Sequence, residues 1–152
     1  MSMPPSPPPR IEGLPEDAAA AMVGGPGDFV DHIGLVIDLV SPTRVEAHLD
    51  VGDTHHQPYG IVHGGVHASI VETLASVGAA ANVVDRGMGV VGLANSTDFI
   101  RAIRDGRILA VAEPVHTGRT QQLWVVTITR ERDGKLVARG QVRLQVVDPD
   151  ML

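Results

Sequence analysis

The chain has 152 residues, 43% of them hydrophobic, and its 18 acidic and 12 basic residues give a formal net charge of −6. That length fits one globular domain with a single core, and at this size about 70% of the unfolded surface is buried without help from disulfides or a structural metal. The absence of cysteine excludes a thiol nucleophile, a disulfide framework and any cysteine-ligated metal, while the acidic balance argues against a nucleic-acid backbone or an anionic membrane as the main partner.

Other classes fall away on composition. Phe29, Tyr59, Phe99 and Trp124 are the only aromatic residues, too few for a platform that stacks single-stranded nucleic acid. There is no signal-peptide h-region and no apolar run of about 18 residues, so a cytoplasmic protein is expected. Lys135 is the sole lysine; the arginine excess follows the general bias toward Ala, Gly, Val, Pro and Arg, although single arginines can still recognise phosphate.

The first nine residues, MSMPPSPPP, lack apolar groups to offset ordering entropy. Residues 1–10 are expected to form a disordered proline-rich tail and residues 11–152 a single domain. Pro15-Glu16-Asp17 ahead of Ala18–Val23 has proline and acids in a first helical turn, and Gly24-Gly25 ends that short helix. Gly34–Val40 is an apolar run. After a turn at Ser41-Pro42, Val45, Ala47, Leu49 and Val51 alternate with Arg44, Glu46, His48 and Asp50, which predicts a hairpin. Gly52–Gly60 is a polar loop.

Val66–Val84 is the one long helical candidate, with apolar residues at three-to-four spacing and on nearly all sides, the pattern of a helix enclosed by its own domain. Its exception is a narrow stripe of Gly65, Ser69, Glu72 and Ser76 at offsets that share one direction. Beyond a turn at Asp85–Gly89, four strands are predicted: Val90–Ala102, Ile108–Thr117, Gln121–Arg132 and Leu136–Val147, with Asp133-Gly134 as a hairpin turn. One apolar helix among about six strands must be wrapped by a curved, mainly antiparallel sheet, an α+β arrangement. Open sheet edges would be removed by pairing two copies.

The chemistry concentrates in Gln57-Pro58-Tyr59-Gly60-Ile61-Val62-His63-Gly64-Gly65-Val66 and in Glu72. The loop delivers His63 and two glycines to a helix start, where free N–H groups and the helix dipole favour a negative oxygen. An N–H at Gly64 or Gly65 could hold the oxyanion formed when a carbonyl is attacked. Glu72, a carboxylate on an otherwise apolar helix, needs a reason to be there; it could attack the polarised carbonyl, activate water, or be a structural group capped by a serine or arginine. A metal held by His63, His67 and Glu72 is disfavoured, because the glycines place the helix start between the two histidines and break their common face.

This stretch, with Gln57 ahead of it and Glu72 after it, resembles the hotdog-fold acyl-CoA thioesterases of the phenylacetate-degradation and 4-hydroxybenzoyl-CoA type, and the strand order from about Ile33 to Val147 agrees. The resemblance implies Glu72 as catalytic carboxylate, Gly64 as the amide that polarises the thioester carbonyl, and Gln57 and His63 as groups positioning thioester and thiolate. Ser76 matches the hydroxyl, commonly threonine, that holds the hydrolytic water. Gly65, Arg101, Arg119 and Thr120 fall where the family contacts substrate and the CoA nucleotide. It implies no metal, no cofactor beyond the CoA carried by the substrate, and a homodimer or homotetramer whose sites draw Gly64 and Glu72 from different subunits. Two other functions fit the same residues: a hydratase or dehydratase of enoyl thioesters using His63 and Glu72 as acid and base, and a non-catalytic acyl-CoA-binding module.

Overall fold

The computed structural model describes residues 6–152. Its elements in chain order are β1 (Arg10–Ile11), α1 (Glu16–Met22), α2 (Phe29–His32), β2 (Leu35–Ser41), β3 (Arg44–Val51), α3 (Gly64–Val83), β4 (Gly89–Phe99), β5 (Gly106–Thr117), β6 (Gln121–Arg130) and β7 (Leu136–Val147). The strands form one sheet in the order β1-β2-β3-β5-β6-β7-β4, antiparallel throughout except for the β1–β2 pair. Inward and outward residues alternate as the period of two demands: along β7, Val142, Leu144 and Val146 are buried while Arg139, Gln141 and Arg143 are exposed.

The sheet curls around α3, which packs against six of the seven strands. That enclosure explains why the helix is apolar on almost every side, with Ile70, Val71, Leu74 and Ala75 all fully buried. It packs closely on the sheet at Gly78, where a Cβ would sit 2.5 Å from the ring of Trp124. Trp124 is itself fully buried; its Nε1 donates to Gln122 Oε1 at 2.7 Å, and Gln122 Nε2 donates to Ala79 O at 3.4 Å. The polar edge of the indole is thereby satisfied inside the core.

Several details differ from expectation. The curved, mainly antiparallel sheet around one long helix is as expected, and among the described residues it gains a seventh strand because Arg10–Ile11 adds a short parallel edge to β2; two residues are too few to show a period. Arg10 therefore belongs to the fold and not to the tail, and the part of the tail expectation that falls on residues 1–5 lies outside the described residues. α2 was not anticipated, since four residues carry no periodicity; it is capped by Asp28, whose carboxylate accepts from Asp31 N at 2.9 Å and Gly25 N at 2.7 Å. The long helix starts two residues earlier than predicted and β4 stops at Phe99, short of Ala102.

Candidate active site

The loop before α3 is held by histidines and an arginine. His55 is buried; its Nδ1 accepts from Gly52 N at 2.9 Å and its Nε2 donates to Ile33 O at 2.8 Å. His56 Nε2 donates to Arg104 O at 2.7 Å, and Arg104 Nη1 donates to Tyr59 O and Gly60 O at 3.1 and 3.0 Å. Gly60 turns with φ +70°, a conformation that favours glycine. Both loop histidines are thus engaged by the backbone, and among the described residues no three His, Asp or Glu side chains are placed to share a metal ion.

His63 is extended, at φ −63° and ψ 135°, and is the N-cap of α3: its Nδ1 accepts from Gly65 N at 2.8 Å. This resolves which helix amide is free. Gly65 N–H is occupied by the cap, whereas Gly64 N–H, at the first helical position, has no intrahelical acceptor. Gly64 lines a cleft of about 290 Å³ together with Gln57, His67, Phe99, Ile100 and Arg101. A Cβ on Gly64 would lie 2.9 Å from the Phe99 ring, so glycine lets the ring close over the helix start. Gln57 Oε1 accepts from Tyr59 N, which leaves its Nε2 donors for the cleft.

His67, one turn on, is only 4% exposed, and its Nδ1 has no hydrogen-bond partner among the described residues. Burial pushes its pKa down to about 4, so the ring is neutral at physiological pH. It joins the cleft beside Phe99, ring centroids 6.2 Å apart. Only the metal argument had singled it out.

Glu72 lies eight residues beyond Gly64, about 12 Å along the helix axis, in a separate setting. Its Oε2 accepts from Asn95 Nδ2 at 3.1 Å, and the same Nδ2 donates to Ala68 O at 3.1 Å. Its Oε1 points at Gly92, where a Cβ would be 2.5 Å away. The β4–β7 register shifts between Gly92 and Ala94, so β4 bulges beside the carboxylate. Asn95 and Gly92 were missed in the sequence; only the packing of β4 on α3 brings them to Glu72. Ser69 Oγ donates to Gly65 O at 2.7 Å, tying it to its own helix, and Ser76 follows Glu72 by one turn on the same side.

The expected nucleotide contacts are not gathered in one place within the chain. Arg101 is exposed at the cleft end; its backbone N–H donates to Val137 O at 3.0 Å and its Nε to Leu136 O at 3.3 Å. Arg119 and Thr120 are exposed in the β5–β6 turn, where Thr120 O accepts from Val146 N at 2.8 Å. From Val137 to Val146 along β7 is about 30 Å. Gln57, Gly64 and Arg101 therefore share one end of the sheet, Arg119 and Thr120 the other, and Glu72 stands between.

A single helix enclosed by a curled antiparallel sheet, with a glycine helix start and a helix-borne carboxylate, defines a hotdog-fold hydrolase of thioesters. The model of the thioesterase superfamily matches residues 59–137, and the chain belongs to that superfamily. It is 47% identical over 119 residues to Rv1847 of Mycobacterium tuberculosis, a protein named as an esterase, covering 77% of this chain and 84% of that one. It is 36% identical over 106 residues to the proofreading thioesterase EntH of Cronobacter sakazakii, covering 70% and 77%. The solved structure of S. sahachiroi AziG superposes with a TM-score of 0.76 at 46% identity, over 80% of this chain and 97% of that one. The thioesterase HI1161 of Haemophilus influenzae gives 0.75 at 31% identity, over 80% and 84%.

Proposed function

We propose that the protein is an acyl-CoA thioesterase, cleaving a CoA thioester to a free acid and CoA without a metal. The observation that carries this is the free Gly64 N–H at the mouth of α3, in a cleft shared with the Gln57 amide. A thioester carbonyl seated there meets two donors and the positive end of a helix dipole, and its oxygen gains charge as it is attacked. Glu72 either adds to the carbonyl carbon itself or takes a proton from the water that adds. The C–S bond then breaks, and its electron pair leaves with the CoA sulfur as thiolate. A thiolate departs without a strong general acid. Arg101 at the cleft mouth supplies a local positive charge for the CoA phosphates, which an acidic chain needs at one point only.

Since Gly64 and Glu72 of one helix are about 12 Å apart, they cannot serve one carbonyl together. Two copies paired along the open β4 edge would bring Glu72 of one to the Gly64 cleft of the other. β4 displays Leu93 and Phe99, and Ile100 follows it, all largely exposed in the single chain, as a strand awaiting a partner does.

The test is thiol release across a panel of acyl-CoA thioesters. Glu72→Ala is expected to lower kcat by about 10³-fold or more, and wild-type turnover in that variant refutes the assignment. An enoyl-CoA whose double bond is consumed without thiol release identifies a hydratase instead. Sharing of sites is tested separately: re-associated mixtures of inactive Glu72→Ala and Gln57→Ala chains regain about a quarter of wild-type activity if each site spans two chains, and none if it does not.

A further inference from the structure

Glu72 is one end of a hydrogen-bonded line that runs along β4. Thr97 Oγ1 donates to Asn95 Oδ1 at 2.7 Å, and Asn95 Nδ2 donates to Glu72 Oε2 at 3.1 Å. Each bond has one polarity. The Glu72 carboxylate and the Ala68 carbonyl can only accept, so the end of the Asn95 side chain that faces them is the NH₂ group; the Thr97 hydroxyl donates to the amide oxygen at the opposite end and holds the side chain there. Asn95 and Thr97 are two residues apart and so lie on the same face of β4.

Both ends of the line occupy space left by glycines. Glu72 Oε1 fills the place of a Cβ on Gly92 at 2.5 Å, and Thr97 Oγ1 that of a Cβ on Gly140, also at 2.5 Å. Gly140 is the β7 residue directly opposite Thr97. Two missing side chains on two strands thus accommodate the first and last members of one three-residue chain.

We propose that Asn95, oriented by Thr97, is a positioning residue for the reaction: it holds Oε2 of Glu72, so that Oε1, against bare Gly92, is the oxygen that reacts. This rests on Glu72 being the catalytic carboxylate. Oε2 is engaged by a donor, whereas Oε1 faces a strand position with no side chain to block it. Thr97 makes no hydrogen bond to Glu72 and acts only through Asn95, a hierarchy that a generic structural role for either residue does not produce.

The experiment measures kcat and KM separately for thiol release from benzoyl-CoA and hexanoyl-CoA, in chains checked for wild-type circular dichroism. Asn95→Ala is expected to lower kcat by about 10- to 100-fold with KM within about threefold, as for loss of an orienting contact. Thr97→Val is expected to lower kcat less, and Thr97→Ser, which keeps the hydroxyl, to restore it. The double variant Asn95→Ala/Thr97→Val is expected to be no worse than Asn95→Ala alone, since the hydroxyl then has nothing to orient. Should Asn95→Ala not fold, Thr97→Val against Thr97→Ser still decides the matter.

Asn95→Ala with wild-type kcat, or multiplicative losses in the double variant, overturns the proposal while leaving the thioesterase assignment intact if Glu72→Ala is inactive. Glu72→Ala with wild-type kcat overturns both.

Discussion

Gly92→Ala separates the geometry of Glu72 from the stability of the fold. The added methyl would stand 2.5 Å from Glu72 Oε1, and since ordinary contact begins near 3.4 Å the carboxylate must retreat by about 0.9 Å. The obstructing atom is the free end of a flexible side chain, so the chain can yield without moving backbone; the fold is expected to lose less than about 1 kcal/mol, partly offset by the reduced freedom of alanine in the unfolded chain. For Glu72 as the proposed catalytic carboxylate the same shift is large, because a misplacement of about 1 Å costs on the order of 100-fold in rate. The expected result is a kcat about two orders of magnitude down with a Tm within about 4 °C of wild type. Gly89→Ala is the control, for it lies on the same strand with its nearest obstruction 3.7 Å away at Pro149, and both properties should be retained. Thiol release and a thermal melt read the two quantities. Wild-type kcat in Gly92→Ala, or an equal loss in Gly89→Ala, would refute the reasoning.

Two further predictions concern stability. Gly78→Ala places a methyl 2.5 Å from the ring of the fully buried Trp124, and a rigid ring packed on all sides cannot withdraw; a loss of about 1–3 kcal/mol should appear as a Tm lower by about 3–10 °C. An unchanged Tm rules out that contact. His67 ionises near pH 4 in the fold against 6.5 ordinarily, so between these values the unfolded chain binds a proton that the folded chain refuses, and stability falls as the pH falls. From pH 7 to pH 5 wild type should lose on the order of 2 kcal/mol more than His67→Leu in urea unfolding; parallel curves contradict the burial of an unprotonated ring.

The sequence made the sheet and helix legible because their periods are long. Val142, Leu144 and Val146 alternate cleanly, and the helix over 66–84 is too apolar to lie anywhere but inside. α2 and β1 were not legible, since four and two residues hold no repeat and their existence depends on a cap at Asp28 and on β2 as a template. The same distinction divides the site. Gln57, His63, Gly64 and Glu72 announce themselves through a loop, a pair of glycines and a helix start close together in sequence. Asn95, Thr97, Gly92 and Gly140 sit in strands where each is an ordinary residue, and only the register of β4 on β7 and the packing of α3 over both bring them together around Glu72. His67 was visible as a histidine but not as a buried one, because the groups around it, Phe99 among them, lie far off in the chain. Arg101 stands at one end of β7 and Arg119 with Thr120 at the other, a separation that no pattern within the sequence displays.

The two edges of the sheet differ in what they offer an incoming strand. At one end, β4 presents eleven residues of unpaired edge. At the other, β1 offers two residues, approached through Pro7, Pro8 and Pro9, none of which has an N–H to give an incoming strand. A sheet with two receptive edges can add copies indefinitely and become a fibre. If two copies join through β4, the edges left at both ends of the combined sheet are β1, each only the two residues Arg10–Ile11 long. The proline-rich entry thus keeps the edge offered to an incoming strand short, and without β1 that edge would be the seven-residue β2.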